Sequence, residues 1–495
     1  MLLKPTLGIA PLAPGKHLSA STDLHPHYPP LLAACTMNRF GVTFLVCLSA
    51  LSLSTQGQQA SASVSTDSLP SKLDAYLTAA HRAYKFTGTA LVAKEGKVLL
   101  HKAYGWRDYA VKAVNDTTTR FPILSITKSF TAMVMLKLQE QGKLSLKDKL
   151  SKYFPEFANG EAITLHHLIT HSSGLYNYTA DIGEEDSMIV CYPMTRQRVL
   201  DIFRDKPLDF KPGKGFSYNN SGFFLAGMVI EKVTGKPYEQ VVRETLFEPL
   251  GMSQSGFDFN NLPAPLRAKG YQFWSEDQLK PYRHYDSTMA YAAGSIYSTT
   301  GDMYKWAKAI ATKQILSAAS WKQAFSRQAG DSGYGFFPGQ FSGKRFVKHS
   351  GGYPGFMTEF VYYPKEDLTV ILLNNYGNYD NSLWPLVMGC SGIVFNQPYD
   401  LWVARKQVQL EETVLKQYTG SFGSKKSKVT FFLKEGALIC RLSQGYELPL
   451  LAENESNYYF LNFNTQFHFL KNSSGKVAKV IIHEHGQDFE LPKIE

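Results

Sequence analysis

The chain has 495 residues, of which 44% are hydrophobic, 19% charged and 13% aromatic. This length exceeds what one hydrophobic core usually supports, so we expect two folded units. The formal net charge is +10, but no arginine-rich run or basic helix accompanies it, and this argues against a nucleic-acid partner.

The first seventy residues are predicted to lie outside the fold. Residues 1–36 are rich in Pro, His and Ala without periodicity, and we interpret them as a start-site artefact before a true start at Met37. Residues 37–57 have a basic residue, a short apolar core and small residues, which resembles a secretory signal peptide and is too short for a membrane span. Residues 58–70 would be a linker. We therefore expect a secreted or periplasmic protein without stable membrane insertion after signal removal; a retained signal anchor is the alternative.

Cysteine usage excludes a disulfide scaffold. Five cysteines are present, and Cys35 and Cys47 would be lost on processing. The remaining three, Cys191, Cys390 and Cys440, permit at most one disulfide and lack metal-ligand spacing. No metal site is expected from them.

Periodicity divides the rest of the chain into two regions. Residues 71–86, 121–143 and 221–235 carry helical patterns; the second is expected to end at Gly142 and the third at Gly235. A hairpin is predicted around Glu95-Gly96, and further strands precede residue 375. Beyond residue 397 only short β runs occur, separated by turns, which is typical of a small all-β barrel or sandwich. We place the first domain at 71–396, a linker at 397–410 and a β domain at 411–495.

A Ser-x-x-Lys pattern occurs twice, and only one copy is expected on a helix. Ser125 and Lys128 head the helical run, where side chains three residues apart share a face. The helix N-terminus favours an oxyanion and disfavours a charged lysine. The alternative is that Ser125 is an N-cap and that Lys128 extends to solvent. The second copy, Ser473–Lys476, lies in a predicted hairpin turn and is interpreted as structural.

Two further segments carry candidate polar groups. Tyr-x-Asn occurs three times, and only Tyr218–Asn220 lies between a Pro-Gly turn and a helix; turn formation explains residues 376–378 and 379–381. His349, Gly351 and Gly352 are placed at the start of a β run, where glycines permit close backbone approach. A substrate carbonyl there would accept hydrogen bonds from the Gly352 and Ser125 N–H groups. A glycine-rich turn is the alternative.

A pair of histidines, His167 and His171, has the i, i+4 spacing of helical zinc ligands. The metalloprotease pattern needs a glutamate after the first histidine, and none follows His167. We therefore favour His171 as a core histidine.

Together these motifs resemble the serine β-lactamase/penicillin-binding-protein superfamily, specifically its class C-like hydrolases and D-peptidases. The stretches "SITK", "ITLHHLITHSSGL", "YNNSGFFLAGMVIEKVTGKPYEQ" and "HSGGYPGF" follow the family order, and "AAGSIYSTTGDMYKW" resembles its small-residue segment. The likeness covers about 71–396. It implies an α+β fold of the β-lactamase/transpeptidase type, an antiparallel sheet flanked by helices plus a helical subdomain, followed here by the barrel-like β domain.

The resemblance also implies roles for particular residues. Ser125 matches the acylated nucleophile, Lys128 its activating base and Tyr218 the proton-shuttling tyrosine. Asn220 matches the ligand of the substrate amide. His349 stands where many β-lactamases have lysine, and since histidine is mostly neutral at pH 7 this favours an esterase, D-peptidase or D-aminopeptidase. The family has a structural histidine where His171 falls.

The prediction is a secreted serine hydrolase that forms an acyl-enzyme on a small-molecule or peptide substrate, with no metal or organic cofactor. The alternatives are a class C-like β-lactamase and a binding module that is acylated without turnover and acts as a sensor. A purely structural envelope protein is a more remote alternative. The oligomeric state and the role of the β domain are left open.

Overall fold

The computed structural model describes residues 68–180, 191–273, 279–282, 286–377, 382–424, 428–442, 447–461, 463–484 and 486–494. The leader and signal segments predicted within residues 1–67 lie outside them. The helices are α1 Leu69–Arg82, α2 Thr127–Glu140, α3 Leu165–Ile169, α4 Arg196–Phe203, α5 Asn220–Thr234, α6 Tyr238–Val242, α7 Glu248–Leu250, α8 Ser287–Ala290, α9 Thr300–Ala311, α10 Ala318–Phe325, α11 Trp384–Val394 and α12 Glu412–Leu415.

Twelve strands precede α11, and eight follow it, among the described residues. The first set is β1 Gly88–Lys94, β2 Lys97–Tyr104, β3 Trp106–Asp108, β4 Ala113–Val114, β5 Phe121–Pro122, β6 Tyr271–Phe273, β7 Leu279–Pro281, β8 Tyr297–Ser298, β9 Phe337–Phe341, β10 Lys344–Tyr353, β11 Phe356–Tyr363 and β12 Leu368–Asn374. The second set is β13 Gly420–Gly423, β14 Lys428–Lys434, β15 Ala437–Arg441, β16 Glu447–Ala452, β17 Asn457–Tyr459, β18 Gln466–Lys471, β19 Val477–Glu484 and β20 Gln487–Pro492.

The main sheet is antiparallel, with strand order β2-β1-β12-β11-β10-β9. Alternate residues of its strands belong to two separate cores, because successive side chains of a strand point to opposite faces. On β1, Ala90 and Val92 pack in the core that includes α1 and α11. Leu91 and Ala93 pack in the core that includes α2, α5 and α9. The sheet is thus covered by helices on both faces.

The C-terminal strands form one eight-stranded antiparallel sheet in sequence order from β13 to β20. A bridge between Phe422 and Lys493, and a hydrogen bond from Ile494 N–H to the Ser421 carbonyl (2.8 Å), bring its first and last strands together. Its interior is a third apolar core, in which phenylalanine and tyrosine rings pack among aliphatic side chains. The sheet is a nearly closed barrel, so the predicted fold class is confirmed in both parts.

Two other findings bear on the sequence predictions. Cys191, Cys390 and Cys440 are not joined in a disulfide. Within the described part of the chain, no helix is long and apolar enough to cross a membrane.

Candidate active site

The turn before α2 exposes one side chain in an otherwise buried segment. Ser125 lies in a short 3-10 helix, Leu124–Ile126, and is half-buried, whereas its neighbours from Phe121 to Met135 are buried. Leu124 has φ = 55°, a left-handed conformation that costs a non-glycine residue about 1–3 kcal/mol. The backbone is held in this shape by Ile123 N–H, which donates to the Ile296 carbonyl at 2.9 Å. The turn therefore presents the Ser125 hydroxyl to solvent before the helix begins.

Lys128 lies within the core behind this hydroxyl. Its side chain is 0% exposed, which excludes the alternative that it extends to solvent. The amine Nζ is 3.1 Å from Ser125 Oγ and donates to the Ala293 carbonyl at 2.8 Å. Burial lowers the pKa of Lys128 well below its ordinary value, because the charged form is poorly solvated there. A neutral amine beside a hydroxyl can take the hydroxyl proton.

Tyr218, two residues before α5, contributes the third polar group of the site. Its hydroxyl is hydrogen-bonded to the Ser125 side chain, and burial raises the pKa of the phenol, so the proton stays on the oxygen. Lys128 Nζ lies 4.9 Å from the centroid of the tyrosine ring. The serine, the amine and the phenol thus meet at one point.

His171 supports the Tyr218 ring from behind. The two rings lie 4.5 Å apart between centroids with an interplanar angle of 31°. Nδ1 of His171 accepts the Asn219 N–H at 3.0 Å, so its proton is on Nε2. Burial, with Lys128 and His349 nearby, lowers the pKa of His171 well below its ordinary value. Helix α3 ends at Ile169 and His171 has φ = 58°, so His167 and His171 do not share a helix face.

Asn220 is the first residue of α5 rather than part of an extended loop. Its backbone N–H donates to Asn177 Oδ1 at 3.1 Å, and its side-chain amide donates to Thr179 Oγ1 at 2.8 Å. Asn219 is the N-cap, because its side-chain oxygen accepts the Gly222 N–H at 2.8 Å. In this arrangement the Asn220 amide N–H points to the 177–179 loop.

His349 lies in the second half of β10, not at the start of a β run as predicted. Nδ1 donates to the Ser350 carbonyl at 2.7 Å, and Nε2 is buried without a hydrogen-bond partner among the described residues. Burial is the main cause that lowers the pKa of His349 to about 3; the proximity of Lys128 and Lys348 adds to it, and the Ser350 hydrogen bond opposes it. The ring is therefore neutral at pH 7. Lys348 lies on the opposite face of the strand, with Nζ 4.1 Å from the Trp384 ring centroid.

The two glycines of β10 differ in their surroundings. A Cβ on Gly351 would lie 2.5 Å from the Ile123 carbonyl oxygen and 2.4 Å from Thr358 Oγ1, so only glycine fits against the nucleophile turn. Pairing of β9 with β10 ends at Lys348, which leaves the far end of β10 as an edge. Hydrogen-bonding direction alternates along an antiparallel strand, and Tyr353 pairs with Phe356 at the hairpin, so the Gly352 N–H points to that edge.

The other occurrences of the motifs are remote from this cleft or undescribed. Ser473 and Lys476 lie in the exposed turn between β18 and β19, where Lys476 N–H donates to Asn472 Oδ1 at 3.0 Å. Tyr376 is buried, and residues 378–381 lie outside the described residues. Across the described chain, no group of three or more His, Cys, Asp or Glu residues is placed to hold a metal ion.

Sequence reasoning missed the residues that anchor Lys128 from behind. The Ala293 carbonyl accepts from its amine, and Thr131 donates to the neighbouring Ala292 carbonyl at 2.6 Å. The small-residue segment that contains both alanines was noted as family-like, but its contact with α2 was not expected. Contacts of side chains with backbone carbonyls about 160 residues away leave no periodic signal in the sequence.

This fold and this arrangement of serine, buried lysine and tyrosine define the class of serine β-lactamases and penicillin-binding proteins. A family model described as Beta-lactamase matches residues 73–385. The chain belongs to the beta-lactamase family, which confirms the resemblance seen in the motifs.

Known relatives agree with this assignment over most of the chain. Penicillin-binding protein 4* of Bacillus subtilis is 25% identical over 433 residues, which cover 82% of this chain and 95% of that protein. The crystal structure of a penicillin-binding protein from Bacillus halodurans has a TM-score of 0.56 and 28% identity, covering 66% of this chain and 98% of that one. An octameric penicillin-binding protein homologue from Pyrococcus abyssi shares the fold, with a TM-score of 0.59, 24% identity and coverage of 86% and 99%.

Proposed function

We propose that this protein is a serine hydrolase that works through an acyl-enzyme on Ser125. The observation that carries the proposal is the fully buried Lys128 amine, 3.1 Å from Ser125 Oγ. A lysine in a core is energetically costly, because burial disfavours its charge, so its presence there indicates a functional role. Here the same burial produces the neutral amine that a general base requires.

The proposed reaction has two stages. Lys128 Nζ takes the Ser125 proton while Oγ forms a bond to the substrate carbonyl carbon, and the resulting oxyanion accepts hydrogen bonds from the Ser125 and Gly352 N–H groups. Tyr218 gives its proton to the leaving group as the bond from that group to the carbonyl carbon breaks, and the proton held by Lys128 then restores the phenol. Water attacks the acyl-enzyme and loses a proton through Tyr218 to Lys128, and this proton passes to Ser125 Oγ as its bond to the carbonyl carbon breaks and the acid is released. No metal or organic cofactor takes part in this scheme.

The substrate class we propose is a D-amino-acid peptide or amide, or a small ester, ahead of a β-lactam. His349 supports this order, because its ring is neutral at pH 7 and cannot supply the cation that lysine at this position would offer to a substrate carboxylate. Asn220 would bind the substrate amide, after its side chain exchanges the hydrogen bond to Thr179 for one to substrate. Gly351 and Gly352 would lie along the substrate backbone.

The second candidate is a penicillin-binding sensor that is acylated and does not turn over. Its support is that two relatives, from Bacillus subtilis and Bacillus halodurans, are penicillin-binding proteins. A class C-like β-lactamase is the third candidate. Its substrate would be a β-lactam, and unlike the sensor it would release the ring-opened product from Ser125. Tyr218 favours turnover, since a binder has no need of a phenol hydrogen-bonded to the nucleophile.

Labelling and burst kinetics test the proposal together. A fluorescent serine-directed probe should label the wild-type chain and Ser473→Ala, and Ser125→Ala should not be labelled. With a chromogenic ester, a burst of one equivalent followed by a steady phase supports the hydrolase, whereas a burst alone supports the sensor. Parallel assays with D-Ala-D-Ala peptides, D-amino-acid amides, p-nitrophenyl esters and a cephalosporin rank the substrates. Labelling of Ser125→Ala at the wild-type rate would refute the nucleophile.

We also propose export through a signal peptide at residues 37–57, with the hydrolase domain at 71–396 and the β domain at 411–495. The apolar core flanked by a basic residue and small residues supports the export signal. N-terminal sequencing of protein recovered outside the cytoplasm should begin near residue 58. Protein that still starts at Met37 would support the retained anchor instead.

A further inference from the structure

We propose that Thr131 is a positioning residue for Lys128. Its hydroxyl holds the backbone turn Tyr291–Ala293, and the last carbonyl of this turn fixes the lysine amine. The inference rests on the proposed function, in which Lys128 is the base that activates Ser125. Thr131 itself is fully buried and does not reach the cleft.

Two consecutive carbonyls of the turn accept hydrogen bonds from α2. Lys128 Nζ donates to the Ala293 carbonyl at 2.8 Å, and Thr131 Oγ1 donates to the Ala292 carbonyl at 2.6 Å. Lys128 and Thr131 are three residues apart, so they project from one face of the helix. The turn is thus attached to α2 at two adjacent backbone positions.

The direction of these hydrogen bonds follows from what each group can donate. Thr131 Oγ1 also lies 3.3 Å from the Thr127 carbonyl, but its single proton goes to Ala292 because that contact is shorter. Tyr238 Oη is 2.8 Å from Thr131 Oγ1. Since the threonine proton is already used, the tyrosine is the donor of this pair. A buried chain of hydroxyls therefore runs from Tyr238 through Thr131 to the Ala292 carbonyl.

The turn has a conformation that must be held from outside. Tyr291 has φ = 42°, which is strained for a residue with a side chain. Its ring lies between the Arg196 guanidinium, with Cζ 3.4 Å from the ring centroid, and the Tyr238 ring at 5.0 Å. Gly227 allows the approach, because a Cβ there would lie 2.5 Å from that of Ala292. These contacts fix the Tyr291 end of the turn, and Thr131 fixes the Ala292 end beside the amine.

The simplest alternative is that Thr131 only satisfies its own hydroxyl within the core. A helical threonine usually does this by bonding the carbonyl four residues back, and here that acceptor, Thr127, is the more distant one. The bond to Ala292 instead crosses to a segment about 160 residues away. Loss of this donor should let the Ala293 carbonyl and the Lys128 amine shift relative to Ser125, which slows acylation and leaves substrate binding unchanged.

The test compares acylation rates of variants that differ in one hydroxyl. Thr131→Val alone would leave the Tyr238 hydroxyl without its partner. The substitution is therefore made in the Tyr238→Phe background, so that the Thr131 and Tyr238 hydroxyls are both removed and the side chains keep nearly the same shape. The double variant should acylate roughly ten- to a hundredfold more slowly than Tyr238→Phe alone, while the substrate dissociation constant, taken from the concentration dependence of the burst rate with a chromogenic ester, should agree within about twofold. Thr131→Ser keeps the donor and should acylate within about twofold of the wild type.

The outcomes separate this inference from the proposed function. Equal acylation rates for Tyr238→Phe and the double variant, with both folded, would overturn the role of Thr131 while leaving the nucleophile intact. If the double variant does not fold, Thr131→Ala compared with Thr131→Ser decides in the same way. Failure of the wild-type chain to be labelled at Ser125 would instead refute the proposed function.

Discussion

Gly351 of strand β10 lies directly against the carbonyl oxygen of Ile123, two residues before the nucleophile candidate Ser125. A Cβ at Gly351 would stand 2.5 Å from that oxygen, well inside van der Waals contact. Thr358 reinforces the contact by donating to the same carbonyl at 3.1 Å. The spacing between the nucleophile turn and the strand that carries Gly352 is therefore set by the absence of a side chain.

Gly351→Ala should impair both stability and acylation. The added methyl must push the strand away from the turn, which costs about 1–3 kcal/mol of unfolding free energy and slows labelling of Ser125 by roughly tenfold or more. Denaturant unfolding and probe kinetics measure the two effects. Gly392→Ala on α11 is the matched control, because the nearest atom to its Cβ would be 3.7 Å away. Wild-type kinetics for Gly351→Ala would contradict the proposed spacing.

Lys128→Met should abolish acylation and stabilise the fold at neutral pH. Burial holds the pKa of Lys128 well below 10.5, so between the folded pKa and 10.5 the unfolded chain binds a proton that the folded chain does not. Stability therefore rises with pH through this window, and at pH 7 the buried lysine is destabilising. A methionine of similar shape removes this cost.

The pH dependence gives two measurements on the same lysine. The melting temperature of Lys128→Met should exceed that of the wild type at pH 7, and the difference should shrink as pH approaches 10. For the wild type, the acylation rate should fall on the acid side with an apparent pKa well under that of free lysine. A flat rate from pH 5 to 9, with no stabilisation by methionine, would be inconsistent with a neutral base.

Tyr218→Phe should reduce turnover far more than binding. The substitution removes the hydroxyl that contacts Ser125 and keeps the ring stacked on His171. Loss of a proton-transferring group typically lowers rate by about 10²- to 10⁴-fold, and we expect this in kcat for a chromogenic ester, with a stable fold. Tyr153→Phe is the control, because the Tyr153 hydroxyl donates to Asp148 at 2.7 Å and lies away from the cleft. This variant should keep the wild-type rate. A kcat within threefold of wild type would remove Tyr218 from the proposed mechanism.

The barrel is joined to the segment before it by a histidine between two carboxylates. His483 Nε2 lies 2.9 Å from Asp400 Oδ1, and Nδ1 lies 2.6 Å from Asp488 Oδ1. Burial lowers the pKa of His483, but the hydrogen bonds to Asp488 and Asp400 outweigh it and the net pKa is raised above 6.5. A raised pKa means that the stabilisation is present below pH 6.5 and is lost as pH rises through the folded-state pKa.

His483→Gln should therefore destabilise the protein more at pH 5.5 than at pH 9. The site is partly exposed, so the difference in unfolding free energy should be about 0.2–1 kcal/mol. Thermal unfolding of the wild type and the variant at the two pH values measures it. An identical loss at both pH values would show that protonation of His483 contributes nothing to stability.

Local patterns in the sequence correctly predicted several elements. The Glu95-Gly96 turn joins β1 and β2, and the hairpin turn predicted at Ser473–Lys476 lies between β18 and β19. Helix α5 ends before Gly235, which adopts the left-handed conformation expected of a C-terminal cap. Such features depend on residues that are adjacent in the chain, so the sequence pattern is enough to predict them.

The site was predictable only in part, because much of its geometry depends on residues that are far apart in the chain. Ser125 and Lys128 were found from their spacing, but the left-handed Leu124 before them was not. Asn220 was placed on a loop and is the first residue of a helix. His349 was placed at the start of a strand and lies in the second half of β10, because apolar alternation alone does not mark where a strand begins.

The sequence by itself determined the family, the two classes of fold and the spacing of a serine and a lysine on one helix. Only the tertiary structure decided that the lysine is buried and that its pKa is lowered, since both depend on Tyr218, Phe223 and the 291–293 turn packing around it. Protonation of an amine is governed by solvation, and solvation is a property of the assembled core rather than of neighbouring residues along the chain.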